Sequence, residues 1–207
     1  GLAAAAEAAA SAARSGSGGV RTVALTRSPD PRRHAIETLP ESVAKGDKVA
    51  LLRRAEEAAR GTGSAITQVS ASYGDSRRRI LVANSDGLMV GDDTVRTVFS
   101  VSSVASGDSG MQTGRESVGL TVGFELFDTY DVEELGRRSA QRALTKLAAR
   151  PAPSGQLPVV IGSGGGGVLF HEACGHGLEA DLVGKGASVF RDRVGEQVAS
   201  ELVTLVD

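Results

Sequence analysis

The sequence has one cysteine, Cys174, no tryptophan, and aromatic side chains at only 3% of its positions. A single cysteine excludes an internal disulfide framework and a cysteine-only zinc cluster within this stretch, and it fits a reducing, cytoplasmic compartment. No run of about 18 uninterrupted apolar residues occurs, so no transmembrane helix is expected. The formal net charge of −2 lacks the basic excess of a dedicated nucleic-acid binder. Neither a membrane nor a nucleic acid is therefore an expected partner. The Ala-rich opening, residues 2–13, lacks the basic start and cleavage pattern of a signal peptide. Histidine is also scarce, at three residues, so the place of each one carries information.

What is present fits an ordinary globular protein. The chain has 207 residues, 41% hydrophobic and 23% charged, enough to bury a core. Glycine is abundant, at 27 residues. Residue 1 is Gly, and Asp207 directly follows an apolar run, so the sequence reads as a piece of a longer protein.

The pattern along the chain predicts an α+β fold. Residues 2–14 are dominated by Ala, the best helix former, and 15–19 are Ser/Gly residues that stop the helix. A short strand or linker is expected at 20–26, a turn at Ser28-Pro29-Asp30-Pro31, and polar loop up to Pro40. Residues 47–60 read as a helix, with Asp47 as N-cap, an apolar stripe through Val49, Leu51, Leu52 and Ala55, and Gly61 as its stop. The period then shortens. Strands are expected leading into Tyr73, over 79–83, over 95–104 and over 112–120. The turns between them fall at Gly74-Asp75, Asn84-Ser85-Asp86-Gly87 and 106–110, which together predict an antiparallel meander. Asp131 with Glu134 reads as a capping box opening a helix that ends before Pro151. The expected organisation is an N-terminal α+β domain over 1–150, a linker over 151–156, and the truncated start of a C-terminal domain over 157–207. That last part should open with a buried strand at 157–161, a glycine loop at 162–167 and an apolar helix start at Val168-Leu169-Phe170.

The chemistry-bearing residues gather just after the glycines. His171 and His176 are two of the three histidines, and Glu172 follows the first. Neutral imidazole is the commonest side-chain ligand for zinc-like metals, and a neighbouring carboxylate can take a proton from an attacking water. The spacing is H-E-x-x-x-H, one residue longer than the zinc helix motif H-E-x-x-H. In a regular helix, positions i and i+4 lie about 40° apart around the axis, whereas i and i+5 lie about 140° apart. A shared metal therefore requires the helix to widen by one residue, as π-bulges do, or to end near Gly175 so that His176 swings back. Gly175 and Gly177 flank His176 and make such distortion cheap. The bare spacing leaves two readings open, a metal pair or histidines with a capping or packing role.

The segment His171-Glu172-Ala173-Cys174-Gly175-His176-Gly177-Leu178-Glu179-Ala180-Asp181, with the glycine run before it and 185–190 after it, resembles the catalytic segment of the TldD/PmbA metallopeptidase family, also known as modulators of DNA gyrase. The resemblance extends upstream through Ala83-Asn84-Ser85-Asp86-Gly87, Gln112-Thr113-Gly114 and Arg150-Pro151-Ala152-Pro153, and is closest to the TldD type. It implies that His171 and His176 are zinc (Zn2+) ligands, that Glu172 is the general base, and that the third ligand is a Cys expected beyond Asp207. It also implies a heterodimer with a TldE/PmbA-like subunit that lacks the motif. The pair would cleave unfolded or linear peptides with little side-chain selectivity, each peptide being held as an extended, added strand. With two of three ligands, this stretch alone is expected to bind zinc weakly and to be inactive. The competing expectation is a non-enzymatic module that binds peptides or partners, with structural histidines.

The remaining features have plainer expectations. The glycine run lacks the G-K-[ST] ending of a P-loop and reads as a strand-to-helix turn. Arg77-Arg78-Arg79 reads as a solvated turn and strand edge. Cys174 reads as a small packed residue, and His34 as an exposed loop residue. Glu179 and Asp181 are open between orienting a ligand histidine and plain surface or cap roles.

Overall fold

The computed structural model describes residues 1–14, 23–28 and 35–205. The chain separates into two compact units, Gly1–Pro151 and Ala152–Asp207. The elements of the first unit are α1 (Leu2–Arg14), β1 (Thr26–Arg27), a 3-10 turn (Pro40–Ser42), α2 (Lys45–Arg60), β2 (Ile66–Ala83), β3 (Leu88–Gly107), β4 (Gly110–Leu120), α3 (Leu126–Thr129) and α4 (Val132–Leu147). The expected helix stop at 15–19, much of the strand or linker at 20–26, the Pro29-Asp30-Pro31 turn and His34 lie outside the described residues.

The sheet is mixed, and β3 is its centre. β2 runs antiparallel along almost all of β3, from Ile66 opposite Ala105 to Ala83 opposite Met89. β4 pairs antiparallel with the other side of β3, from Thr97 opposite Leu120 to Gly107 opposite Gly110. The short β1 adds a parallel contact at the far end, Thr26 opposite Leu88. Period-2 burial explains why β3 is a strand: Val95, Thr97, Phe99, Val101, Ser103 and Ala105 are all buried, and the residues between them are not.

Helices α2 and α4 cover that face. One cluster joins Leu51 and Ala55 of α2, Phe99 and Val101 of β3, and Val132 and Leu135 of α4. Phe127 packs edge-on against Phe99, with ring centroids 5.6 Å apart, and also meets Tyr73 and Phe124. The second cluster is made of smaller side chains, Ala59, Ala105, Ala140 and Ala143 around Ile66. Two glycines let backbones touch there. A Cβ on Gly136 would overlap the Ala55 carbonyl of α2, and one on Gly114 would overlap the Ser139 carbonyl and stand 2.6 Å from the Ala143 nitrogen. Between sheet and helix, the Ser103 and Ser139 hydroxyls bond each other at 2.7 Å, and Ser139 also donates to the Gly136 carbonyl at 2.9 Å. Both buried hydroxyls are thereby satisfied.

Several local expectations are corrected. Gly74-Asp75 does not turn the chain, because β2 runs straight through it opposite Val98 and Thr97. The continuous ladder with β3 outweighs the local turn signal. Arg77-Arg78-Arg79 accordingly forms no turn, but it does lie exposed on β2, an edge strand paired only with β3 among the described residues, where Arg77 forks onto Asp93 at 2.8 and 2.6 Å and reaches Glu41 at 2.6 Å. Helix α2 begins at Lys45, so Asp47 sits in the first turn and is not its N-cap. Asp131 does cap α4, accepting the Glu133 N–H at 2.9 Å, but Glu134 turns to Arg137 at 3.1 Å.

In the second unit, 157–161 forms no strand. Leu157, Val159, Val160 and Ile161 are 52%, 76%, 99% and 48% exposed. An apolar run becomes a strand only where it finds a pairing edge, and this one has none among the described residues. The glycines are not a loop either: α5 spans Ser163–Phe170 with Gly162 as its N-cap. No helix among the described residues is long and apolar enough to cross a membrane.

Two outcomes test this packing. Gly136→Ala should destabilise the first unit by about 2–3 kcal/mol in chemical denaturation, because the obstructing atoms are backbone and cannot rotate away. The second test concerns Asp75, which pairs with Lys48 at 2.9 Å. The Lys48 hydrogen bond holds the Asp75 carboxyl below its ordinary pKa. The pair therefore stabilises the fold above the ordinary aspartate pKa, and this contribution is lost as pH falls through the lowered value. Asp75→Asn should cost about 0.5–1 kcal/mol at neutral pH, with the difference from the parent closing in acid.

Candidate metal centre

The site is built by three successive backbone geometries. Helix α5 is followed by a π turn (His171–Gly175), a 3-10 turn (His176–Leu178) and the short α6 (Ala180–Gly184). At the junction, the His171 N–H still bonds to the Gly167 carbonyl, four residues back. The His176 N–H instead reaches the His171 carbonyl, five residues back. The Glu179 N–H then closes on His176 at 3.3 Å, three residues back. The helix thus takes up one extra residue between the histidines and sheds it directly afterwards.

The extra residue decides where the rings go. The His171 and His176 centroids lie 4.4 Å apart, with 68° between their planes. Glu172 Oε2 is 3.6 Å from His176 Nε2. Donor atoms of His171, Glu172 and His176 all fall within 4.8 Å of one another, and all three residues are exposed. Two imidazoles and one carboxylate form a donor set suited to zinc, so these three residues could hold a metal ion. On the far side of the ring, His176 Nδ1 meets Glu179 Oε1 at 2.9 Å. That hydrogen bond, with the charges of Glu179 and Glu172, raises the His176 pKa above its ordinary value. Asp181 is engaged elsewhere, accepting from Lys185 at 3.0 Å. Cys174 is half-buried, points its thiol at the Phe170 carbonyl at 3.1 Å, and is not one of the converging donors.

The two flanking glycines act by size. Gly175 has ordinary helical angles, φ −57° and ψ −50°. Its missing side chain leaves room for the first ring: a Cβ there would stand 3.1 Å from His171 Nδ1. At Gly177 a Cβ would stand 2.8 Å from the Phe190 ring. This contact belongs to a support that the sequence reading did not foresee. Ser188 Oγ donates to the Gly177 carbonyl and accepts the Phe190 N–H at 3.0 Å, tying 188–190 to the turn that carries His176. The one legible signal for it was Gly186, whose φ of +75° folds the chain back. Glu116, in the first unit, is held by Arg142 and, at 3.8 Å, by Arg138.

Comparison with known proteins gives a consistent picture. The family profile described as the PmbA/TldA metallopeptidase central domain matches residues 38–147, and the one described as the PmbA/TldA metallopeptidase C-terminal domain matches 154–207. A metalloprotease of Methanothermobacter thermautotrophicus is 39% identical over 81% of this chain and 37% of its own length. A metalloprotease TldD homolog of Buchnera aphidicola is 37% identical over 81% of this chain and 36% of its own length. The chain thus spans little more than a third of the length of these relatives. A candidate modulator of a DNA gyrase from Thermotoga maritima has a similar fold, with a TM-score of 0.63 at 18% identity, covering 84% of this chain and 40% of that one.

The steric role of Gly175 has a direct readout. Gly175→Ala should push the His171 ring aside and weaken binding of a divalent metal by on the order of tenfold in a chelator competition. Gly165→Ala, where a Cβ meets nothing within 4 Å, should leave that affinity unchanged.

Proposed function

The chain belongs to the TldD/PmbA metallopeptidase family, and on that premise we propose that it carries the zinc-binding and proton-transfer residues of a peptidase acting on unfolded or linear peptides. In this reading His171 and His176 bind the ion and Glu172 is the general base. The third donor is a cysteine carried elsewhere in the full-length protein. The observation that carries the reading is the π turn, which brings together, beside Glu172, the His171 and His176 rings that a regular helix would hold about 140° apart.

The chemistry supplied by zinc is Lewis-acid polarisation of the scissile carbonyl and a lowered pKa for water. The residues of this chain do the rest. The two imidazoles, set at an angle to one another, would hold the ion between them. The Glu172 carboxylate, on the His176 Nε2 side, takes the proton of the attacking water and passes it to the leaving amine. A peptide held as an added strand is recognised through its backbone, which gives low side-chain selectivity. The working unit is a cytoplasmic heterodimer with a PmbA-like sister subunit.

The test uses the full-length protein with that subunit. Glu172→Gln should retain about one zinc and lose peptide cleavage by about 10²–10⁴-fold, whereas His171→Ala should lose the metal. Cleavage retained in Glu172→Gln would refute the proton-transfer role. A zinc-free wild type would leave the peptide-binding module as the surviving reading.

A further inference from the structure

We infer that Glu179 is a positioning residue for this centre: it fixes the tautomer and the rotation of the His176 ring so that Nε2, and not Nδ1, is presented to the metal. The inference rests on the metal reading above and extends it to a residue outside the H-E-x-x-x-H spacing.

An imidazole has two possible faces for a metal, and in a neutral ring the proton on one nitrogen decides which other nitrogen has a free lone pair. An ionised carboxylate can only accept. With Glu179 Oε1 at 2.9 Å from Nδ1, the proton is held on Nδ1 and the lone pair is left on Nε2. Nε2 is also the atom that faces Glu172, at 3.6 Å, and so lies on the side where the donors converge.

The backbone makes this hold local and short. Glu179 is attached to His176 twice. Its N–H closes the 3-10 turn on the His176 carbonyl at 3.3 Å, and its side chain reaches the same residue's ring. Glu179 then leaves the turn with extended angles, φ −65° and ψ 130°, and its carbonyl starts α6 by accepting the Val183 N–H at 3.0 Å. One residue therefore ends the turn, caps the ring and opens the next helix. Asp181 was the other candidate, and its carboxylate is taken by Lys185 at 3.0 Å. Glu179 is half-exposed, so its replacement removes no packed volume.

The experiment measures zinc affinity of the full-length protein by chelator competition, together with 15N chemical shifts of His176 in the metal-free protein above its titration. Glu179→Ala should weaken zinc about 10–100-fold and shift the metal-free ring from the Nδ1–H tautomer to a mixture. Glu179→Gln, whose amide oxygen still accepts, should keep the Nδ1–H tautomer and most of the affinity. Asp181→Ala should match the wild type in both. Unchanged affinity and tautomer in Glu179→Ala, with zinc still lost in His176→Ala, would overturn the role of Glu179 alone. Absence of zinc from the wild type would overturn the metal reading and this inference with it.

Discussion

One displaced hydrogen bond shapes the candidate metal centre of this chain: the His176 N–H passes over the carbonyl four residues back and takes that of His171. A π step gives up regular helical bonding, and such steps are found mostly where a side chain has to be re-aimed. Here it turns a spacing that separates two rings into one that sets them 4.4 Å apart. The surroundings are arranged to tolerate it. Gly175 clears space beside His171, Gly177 admits the Phe190 ring, and Ser188 bridges the turn to the returning chain. The tight 3-10 turn that follows restores the chain direction before α6 begins.

The first unit solves a different problem with the same small residues. Few aromatics are available, and four of them, Tyr73, Phe99, Phe124 and Phe127, are spent together at one end of the helix–sheet interface. Elsewhere the interface is filled by bringing backbones close over Ala55, Gly136, Gly114 and Ala143, so that little volume is left to fill. Gly114 and Gly136 thus serve contact between elements, a role that composition cannot distinguish from turn-making.

The contrast between local and non-local causes explains what was legible in the sequence. Helix geometry and spacing narrow the segment His171 to His176 to a widened turn or a helix end near Gly175 if the two rings are to meet, and the structure has the widened turn, with donor atoms of His171, Glu172 and His176 close together. Helix α4 and its Asp131 cap were equally local, as was the turn at Asn84, whose side chain accepts from Asp86 and Leu88. The errors came where a partner decides the outcome. Gly74-Asp75 looks like a turn until β3 lies beside it, and 157–161 looks like a buried strand although no partner among the described residues receives it. The glycines around His176 also give steric room, a role invisible in the sequence until the neighbouring rings are placed. For the support from Ser188 and Phe190 the sequence offers only Gly186, which marks where α6 ends and the chain turns, not what those two residues touch.

Among the described residues of the second unit, Gly166 alone is buried, and Val160, Val194 and Leu202 are almost wholly exposed. The contacts within this stretch alone therefore contribute little free energy to holding the widened turn in place. Its ordering and its ligand affinity are then thermodynamically linked. Whatever binds the ordered form, whether an ion at the two imidazoles or a surface against the exposed valines and leucines, favours the other. The affinity measured for either is the intrinsic one reduced by the fraction of chains already ordered. On the proposed reading, an ion held by His171 and His176 would favour the ordered turn, and whatever orders the turn would favour the ion.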